Sequence, residues 1–206
     1  MRQVTLKIGH SGCMTPSPRV VILNGPSSSG KTTLATAFRD QRAASGELWF
    51  LTGIDDFLAK LPSEWLSVGP ESGPYAADGV RFERTDRGLE FRIGSEGRKL
   101  IRAYQSGVAA AAGAGLNVIV DEVVIDQASW DDWTTSLVGL HVVWVGVRCS
   151  LDVAEQREQS RPERFRGQTR GQAAIVHRFA QYDFEIDTTT RSEGEVLADL
   201  ARSLGY

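Results

Sequence analysis

The stretch VVILNGPSSSGKTTL, Val20 to Leu34, limits what this chain can fold into more than any other part of it. Val20 to Leu23 are β-favouring and run into Asn24 and Gly25, whereas Lys31, Thr32, Thr33 and Leu34 read as the first turn of a helix. A strand, a loop of small residues and a helix therefore follow one another directly. Gly25, then four residues, then Gly30-Lys31-Thr32 is the Walker A spacing, and each residue type has a task in it. Gly25 and Gly30 allow backbone geometry that a Cβ would obstruct, so that loop N–H groups can surround a polyanion at the positive end of the helix. Gly25, Pro26, Ser27, Ser28, Ser29, Gly30, Lys31, Thr32 and Thr33 are thus the candidate nucleotide-binding set. Lys31 is placed to reach the β and γ oxygens of ATP, and Thr32 to offer its hydroxyl to Mg2+. The alternative is a glycine-serine turn between an ordinary strand and helix.

The rest of the chain reads as alternating strands and helices. Residues 1–18 show no sustained period and end in Pro16 and Pro18, so they read as a loosely ordered leader ahead of one domain over 19–206. A first helix carries Leu34, Ala37 and Phe38 on one face, and LWFLTG, Leu48 to Gly53, reads as a buried second strand. Within VRFERTDRGLEFRI two alternating segments flank TDRG, which predicts a β-hairpin set off from the main sheet. Apolar residues at helical spacing predict a helix from about Ser95 to Ala114, followed by the strand NVIVDE. Ser129 is expected to cap a short helix carrying Trp130 and Trp133; LHVVWVGV reads as a central strand, and Ser150 as the cap of the next helix. FEIDT supplies the last strand, and Ser192 with Glu195 has capping-box spacing for a terminal helix. The pattern predicts an α/β fold with a parallel sheet covered on both faces.

Functional groups in such folds collect beyond the carboxyl ends of the strands. There the sequence places Asp55 and Asp56 after the second strand, and Asp121 and Glu122 after the third. VIVDE fits a Walker B strand, making Asp121 the candidate Mg2+ or water ligand beside Thr32, with a capping or loop acid as the alternative. Asp55, directly at the strand exit, is the candidate catalytic base for a hydroxyl acceptor, while Asp56 is better placed to cap the helix FLAKL; both could instead be caps. Arg157, Arg161, Arg164, Arg166 and Arg170 crowd one segment beside Pro162 and Gly167, which suggests a lid over about 158–172 that delivers guanidinium groups to phosphate. The interspersed Glu155, Glu158 and Glu163 equally permit a solvated helix face. His177, in the expected helix QAAIVHRF, reads as a surface or core histidine, and Trp65 and Trp130 as candidates for an aromatic substrate wall. A net charge of -3 with 24% charged residues leaves no basic field for nucleic acid or anionic lipid. With no apolar run of about 20 residues and no signal-peptide core, the expected location is the cytoplasm. Cys13 and Cys149 are too few for a disulfide framework.

ILNGPSSSGK, GIDDFL, VIVDEV, VVWVGVRC, AEQRE and YDFEIDTT occur in an order that resembles the chloramphenicol phosphotransferase family of small P-loop kinases. The resemblance implies a five-stranded parallel sheet of nucleoside-monophosphate-kinase type and ATP-dependent phosphorylation of a primary hydroxyl. It also implies that Asp55 is the catalytic base, that Lys31 and Thr32 serve ATP and Mg2+, and that Arg157, Arg161 and Arg164 belong to the lid. PSEWLSVGPESGPYAADG, the hairpin and IGSEGRKLIRAY lie outside the matching pieces and fall where the acceptor is expected. The expected activity is therefore an ATP-dependent O-phosphotransferase acting on a small hydroxylated natural product, chloramphenicol or a comparable antibiotic. The alternatives are a kinase for another antibiotic, a nucleoside or a sugar acid, and a regulatory nucleotide-binding module that hydrolyses ATP slowly. Nothing in the sequence speaks to oligomeric state.

Overall fold

The computed structural model describes residues 20–67, 73–161 and 166–206. Val20–Asn24 form strand β1, whose five residues are all buried, and Lys31–Ala44 form helix α1. Along β1 the side chains alternate between faces: Val21 and Leu23 pack with Leu34 and Phe38 of α1, while Val20 and Ile22 pack toward the opposite side. The chain continues through β2 (Trp49–Gly53) and the single-turn helix α2 (Ile54–Leu58). The short β3 (Leu66–Ser67) and the hairpin β4 (Val80–Thr85) and β5 (Gly88–Ile93) then form a separate three-stranded sheet. The predicted hairpin is thus present, with β4 and β5 antiparallel and Phe82 opposite Phe91.

Helix α3 (Ser95–Gly113) leads back to β6 (Asn117–Glu122), then α4 (Gln127–Ser136), β7 (Val142–Arg148) and α5 (Leu151–Gln159). The short α6 (Gln168–Ala173), β8 (Phe184–Asp187) and α7 (Glu193–Ser203) complete the fold. The main sheet has five strands in the order β2-β6-β1-β7-β8, with every pairing parallel. One core cluster lies between this sheet and α1 with α7; the other holds Tyr104 and Val108 of α3 and Trp133 of α4. The helices that follow β1 and β6 therefore lie on opposite faces, and the crevice between the carboxyl ends of those two neighbours is where such a sheet binds ligands.

Three local expectations change. Helix α4 is capped by Asp126, whose carboxylate accepts from Ser129 N at 2.7 Å; Ser129 sits inside the helix, because the earlier acid already satisfies the first-turn amide. Strand β2 is an edge, and Leu48 before it and Phe50 within it are 69% and 47% exposed, so it is not buried throughout. His177 lies past the end of α6, in turns. The caps at Ser150 and at Ser192 with Glu195 form as expected.

Candidate active site

The loop between β1 and α1 is shaped by two glycines and a serine. A Cβ on Gly25 would lie 2.4 Å from the Val147 carbonyl of β7, so the close approach of loop to sheet excludes a side chain. Ser28 and Gly30 have φ of 61° and 93°, the left-handed region that lets the chain double back before the helix. Lys31, Thr32 and Thr33 open α1 and so present N–H groups with no helical carbonyl behind them. Lys31 is buried; its Nζ donates to Pro26 O at 2.8 Å and stands 3.7 Å from Asp121 Oδ1. Thr32 Oγ1 donates to Asp121 Oδ2 in a short hydrogen bond. The carboxyl end of β6 thus brings Asp121 onto the phosphate loop, with Oδ2 on the Thr32 hydroxyl and Oδ1 toward Lys31, a pairing that could hold a divalent cation. Among the described residues no cluster of His, Cys, Asp and Glu could hold a metal by itself. A cation here would take most of its ligands from phosphate and water, as Mg2+ does at nucleotide sites.

Two cavities adjoin the loop. One, the larger only when the open solvent at its mouth is counted (about 950 Å³), is bordered by Ser27, Lys31, Thr32, Asp121 and Asp55, and extends to Leu58, Phe82, Phe91 and Ile93. The smaller, about 610 Å³, lies on the other side of the loop against Thr33, Arg157, Thr188 and Arg191. Asp55 and Asp56 separate by position. Asp56 Oδ2 accepts from Gly53 N at 2.9 Å and closes the first turn of α2, whereas Asp55 borders the larger cavity. The aromatic lining of that cavity is Phe82 and Phe91 of the hairpin, with ring centroids 5.2 Å apart, together with Trp133 of α4. Trp65 and Trp130, expected there, stack on Tyr75 and Trp144 instead, and neither borders the cavity.

The arginine segment divides. Arg157 is pinned, donating to Thr188 O at 2.8 Å and to Thr188 Oγ1 at 3.2 Å, and it borders only the smaller cavity. Arg161 borders both cavities. Arg164 lies outside the described residues. Arg170 pairs with Glu155 at the surface, as the solvated-face alternative has it. Glu158 does not: it is 4% exposed, and its carboxylate accepts from Gly167 N at 2.8 Å and Thr169 N at 2.7 Å, fixing the start of α6. The interval 158–172 consequently ends in a helix packed on the phosphate loop. Thr169 Oγ1 donates to Ser27 O at 3.3 Å, and Ser27 N donates to Gln172 Oε1 at 2.6 Å.

Asn24 and Gln172 escaped the sequence reading, and Glu122 was placed at its strand end there without a role. Asn24, fully buried, donates through Nδ2 to Val176 O and Tyr182 OH and accepts from Val124 N at 2.8 Å, tying β1 to the segments after β6 and α6. One polar residue ending the run VVIL was the available signal. Glu122 borders the larger cavity, accepts from Trp133 Nε1 and Val123 N, and has its pKa pushed up to about 7 by burial, with Asp121 adding to the shift. Gln172 had no signal, since glutamine is unremarkable in a helix. His177 Nδ1 meets Tyr182 OH at 2.7 Å, and burial followed by the nearby Arg148 lowers its pKa to about 4. It is a neutral packing partner at ordinary pH.

Comparisons with known proteins agree with this geometry. Residues 18–204 match the family model described as chloramphenicol phosphotransferase-like protein. Two Mycobacterium tuberculosis proteins, from strains CDC 1551 and H37Rv and each named an O-phosphotransferase, are 36% identical to this chain over 196 residues, covering 91% of it and 83% of theirs. Among solved structures, the M. tuberculosis APS kinase in complex with AMPPNP and APS superposes with a TM-score of 0.62 at 15% identity, covering 93% of this chain and 99% of its own. A gluconokinase from Sinorhizobium meliloti 1021 gives 0.58 at 17% identity, with 91% of both chains covered. At such identities these two show the shared fold, a five-stranded parallel sheet behind a phosphate loop. With the loop, the β6 carboxylate and the family match together, the chain belongs to the chloramphenicol phosphotransferase-like family and is a phosphotransferase on the P-loop kinase fold.

Proposed function

We propose that the protein transfers the γ-phosphoryl group of ATP to a hydroxyl of a small natural product, chloramphenicol or a comparable antibiotic, and so inactivates it. One observation carries the reading: a single cavity runs from Lys31, Thr32 and Asp121, past Asp55, into a chamber walled by Leu58, Phe82, Phe91 and Ile93. Among the described residues its only lysine and arginine are Lys31 and Arg161, both on the phosphate side. An acceptor with an apolar body and no anionic group suits that wall better than a sugar acid does.

In this reading the loop amides and Lys31 hold the β and γ phosphates. Arg157, fixed to Thr188, serves the base side, and Arg161, on the border of both cavities, neutralises the group in transit. Thr32 and Asp121 would hold Mg2+, which would offset phosphate charge when bound with the nucleotide. Asp55 aligns the acceptor and takes its hydroxyl proton as the new O–P bond forms and the bond to the β–γ bridging oxygen breaks. The other reading, a regulatory module, needs no acceptor chamber.

The test is incubation with Mg2+, ATP and a panel of hydroxylated antibiotics, nucleosides and sugar acids, with products read by mass. A phosphorylated apolar alcohol is the expected result. Release of ADP with every panel member unchanged would favour the regulatory module, and a phosphorylated sugar acid would overturn the acceptor class.

A further inference from the structure

Helix α6 contributes two buried carboxamides to the larger cavity, Gln168 and Gln172, one turn apart on the same face. The catalytic scheme above uses neither. One contact fixes the orientation of Gln172. A backbone N–H can only donate, so the Gln172 atom lying 2.6 Å from Ser27 N is the carbonyl oxygen Oε1. The amide nitrogen Nε2, with two N–H donors, is then turned away from that amide. It has no hydrogen-bond partner among the described residues and is not among the fully occluded polar atoms, although the residue as a whole is 4% exposed. A buried amide keeps donors unpaired at a cost unless something else receives them.

The two cavities show which end of the loop this donor serves. Ser28, Gly30, Thr33 and Arg161 border both, but Ser27 and Gln172 border only the larger one, together with Asp55. Gln172 therefore stands on the acceptor side of the loop, where the γ-phosphoryl group leaves. Its backbone is held in place from several directions. The Glu158 carboxylate fixes the first turn of α6, Thr169 bonds to Ser27 O, and Gly171 packs so closely on β5 that a Cβ there would lie 2.3 Å from Leu89 O. Such fixation is what a donor aimed at developing charge requires.

Resting on the kinase reading above, we infer that Gln172 is a further catalytic residue, its Nε2 donating to an oxygen of the phosphoryl group in transit. It adds a neutral, oriented donor to the charges of Lys31 and Arg161. Ser27 N–H is the group that orients it.

The test compares binding of ADP and of AMPPNP, each with Mg2+, to the full chain by calorimetry, since only AMPPNP carries a γ-phosphoryl group. Gln172→Glu retains an oxygen for Ser27 N–H and loses the donor. Gln172→Met, or Gln172→Ala if that chain does not fold, loses the donor without adding charge. In both variants the ratio of AMPPNP to ADP affinity is expected to fall about tenfold or more, the range of a hydrogen bond to a charged group. Gln172→Glu should keep ADP affinity and melting temperature near those of the wild type. A role confined to supporting the loop would weaken both nucleotides alike and leave the ratio unchanged, which overturns the proposal. So does a fall in the Glu variant alone, because that is charge repulsion. A wild-type chain that binds neither nucleotide removes the phosphate-loop reading itself, and this proposal with it.

Discussion

Asp55 and Asp56 stand side by side, and their different surroundings follow from where the strand stops. Gly53 ends β2, its N–H is taken by the Asp56 carboxylate, and that leaves Asp55 on the cavity border. Asp55→Asn keeps the shape but removes the basicity, so kcat for the accepted alcohol is expected to fall about 10²–10⁴-fold with ATP affinity little changed. Asp56→Asn should cost only part of a helix cap, on the order of 1 kcal/mol of stability. Steady-state kinetics on the two variants in parallel check both; a dead Asp56→Asn beside an active Asp55→Asn would exchange their roles. Glu122 supports a prediction about pH. Burial holds its proton more tightly in the folded chain, so folding takes up a proton between about pH 4.5 and about 7. The stability this contributes is complete below that interval and is lost as the pH rises through about 7. Glu122→Gln cannot titrate. Over pH 5 to 8 its urea-unfolding free energy should fall less than that of the wild type, by roughly 1–3 kcal/mol. Parallel curves would mean that Glu122 titrates as an ordinary carboxylic acid.

At the scale of elements, legibility in the sequence tracked how local each signal was. The phosphate loop, the hairpin turn and the caps at Ser150 and Ser192 depend on a few neighbouring residues, and all were readable. Helix α6 was not. It has six residues, and it is stabilised by the buried Glu158 carboxylate, the Ser27 backbone and the hairpin rather than by a period of its own. The cavity wall differs from expectation for a related reason: Trp65 and Trp130 stood out for size and loop position, while Phe82 and Phe91 gain their place from the register of β4 and β5 and Trp133 from its packing in α4. The contact of α6 with β5 gives a test in which two effects oppose. Alanine is favoured over glycine in a helix by about 1 kcal/mol, yet at Gly171 its Cβ would meet the Leu89 carbonyl at 2.3 Å. Backbone cannot yield as a side-chain tip does, so sterics should win. Gly171→Ala is expected to destabilise by about 1–3 kcal/mol, read as a lower urea midpoint. A variant as stable as the wild type would show that α6 and β5 separate freely.

Over the whole molecule, the groups that the proposed reaction would use and the aromatic hairpin wall that would meet its acceptor come from different sheets. The phosphate loop, Asp121 and the strand leading to Asp55 belong to the five-stranded sheet, whose order places them at one crevice. Phe82, Phe91 and Ile93 belong to the small sheet, which the chain builds in one excursion between α2 and α3. Its attachment on the α6 side includes one backbone hydrogen bond, Leu89 N to Gly167 O, and close packing at Gly88 and Gly171. Recombination that exchanged this excursion for another of similar size would leave the reacting groups where they are. If the proposed acceptor wall is right, a lineage built this way could acquire new acceptors by replacing the segment between α2 and α3 instead of rebuilding an enzyme, and drift in the hairpin sequence would become a record of the acceptors its ancestors met.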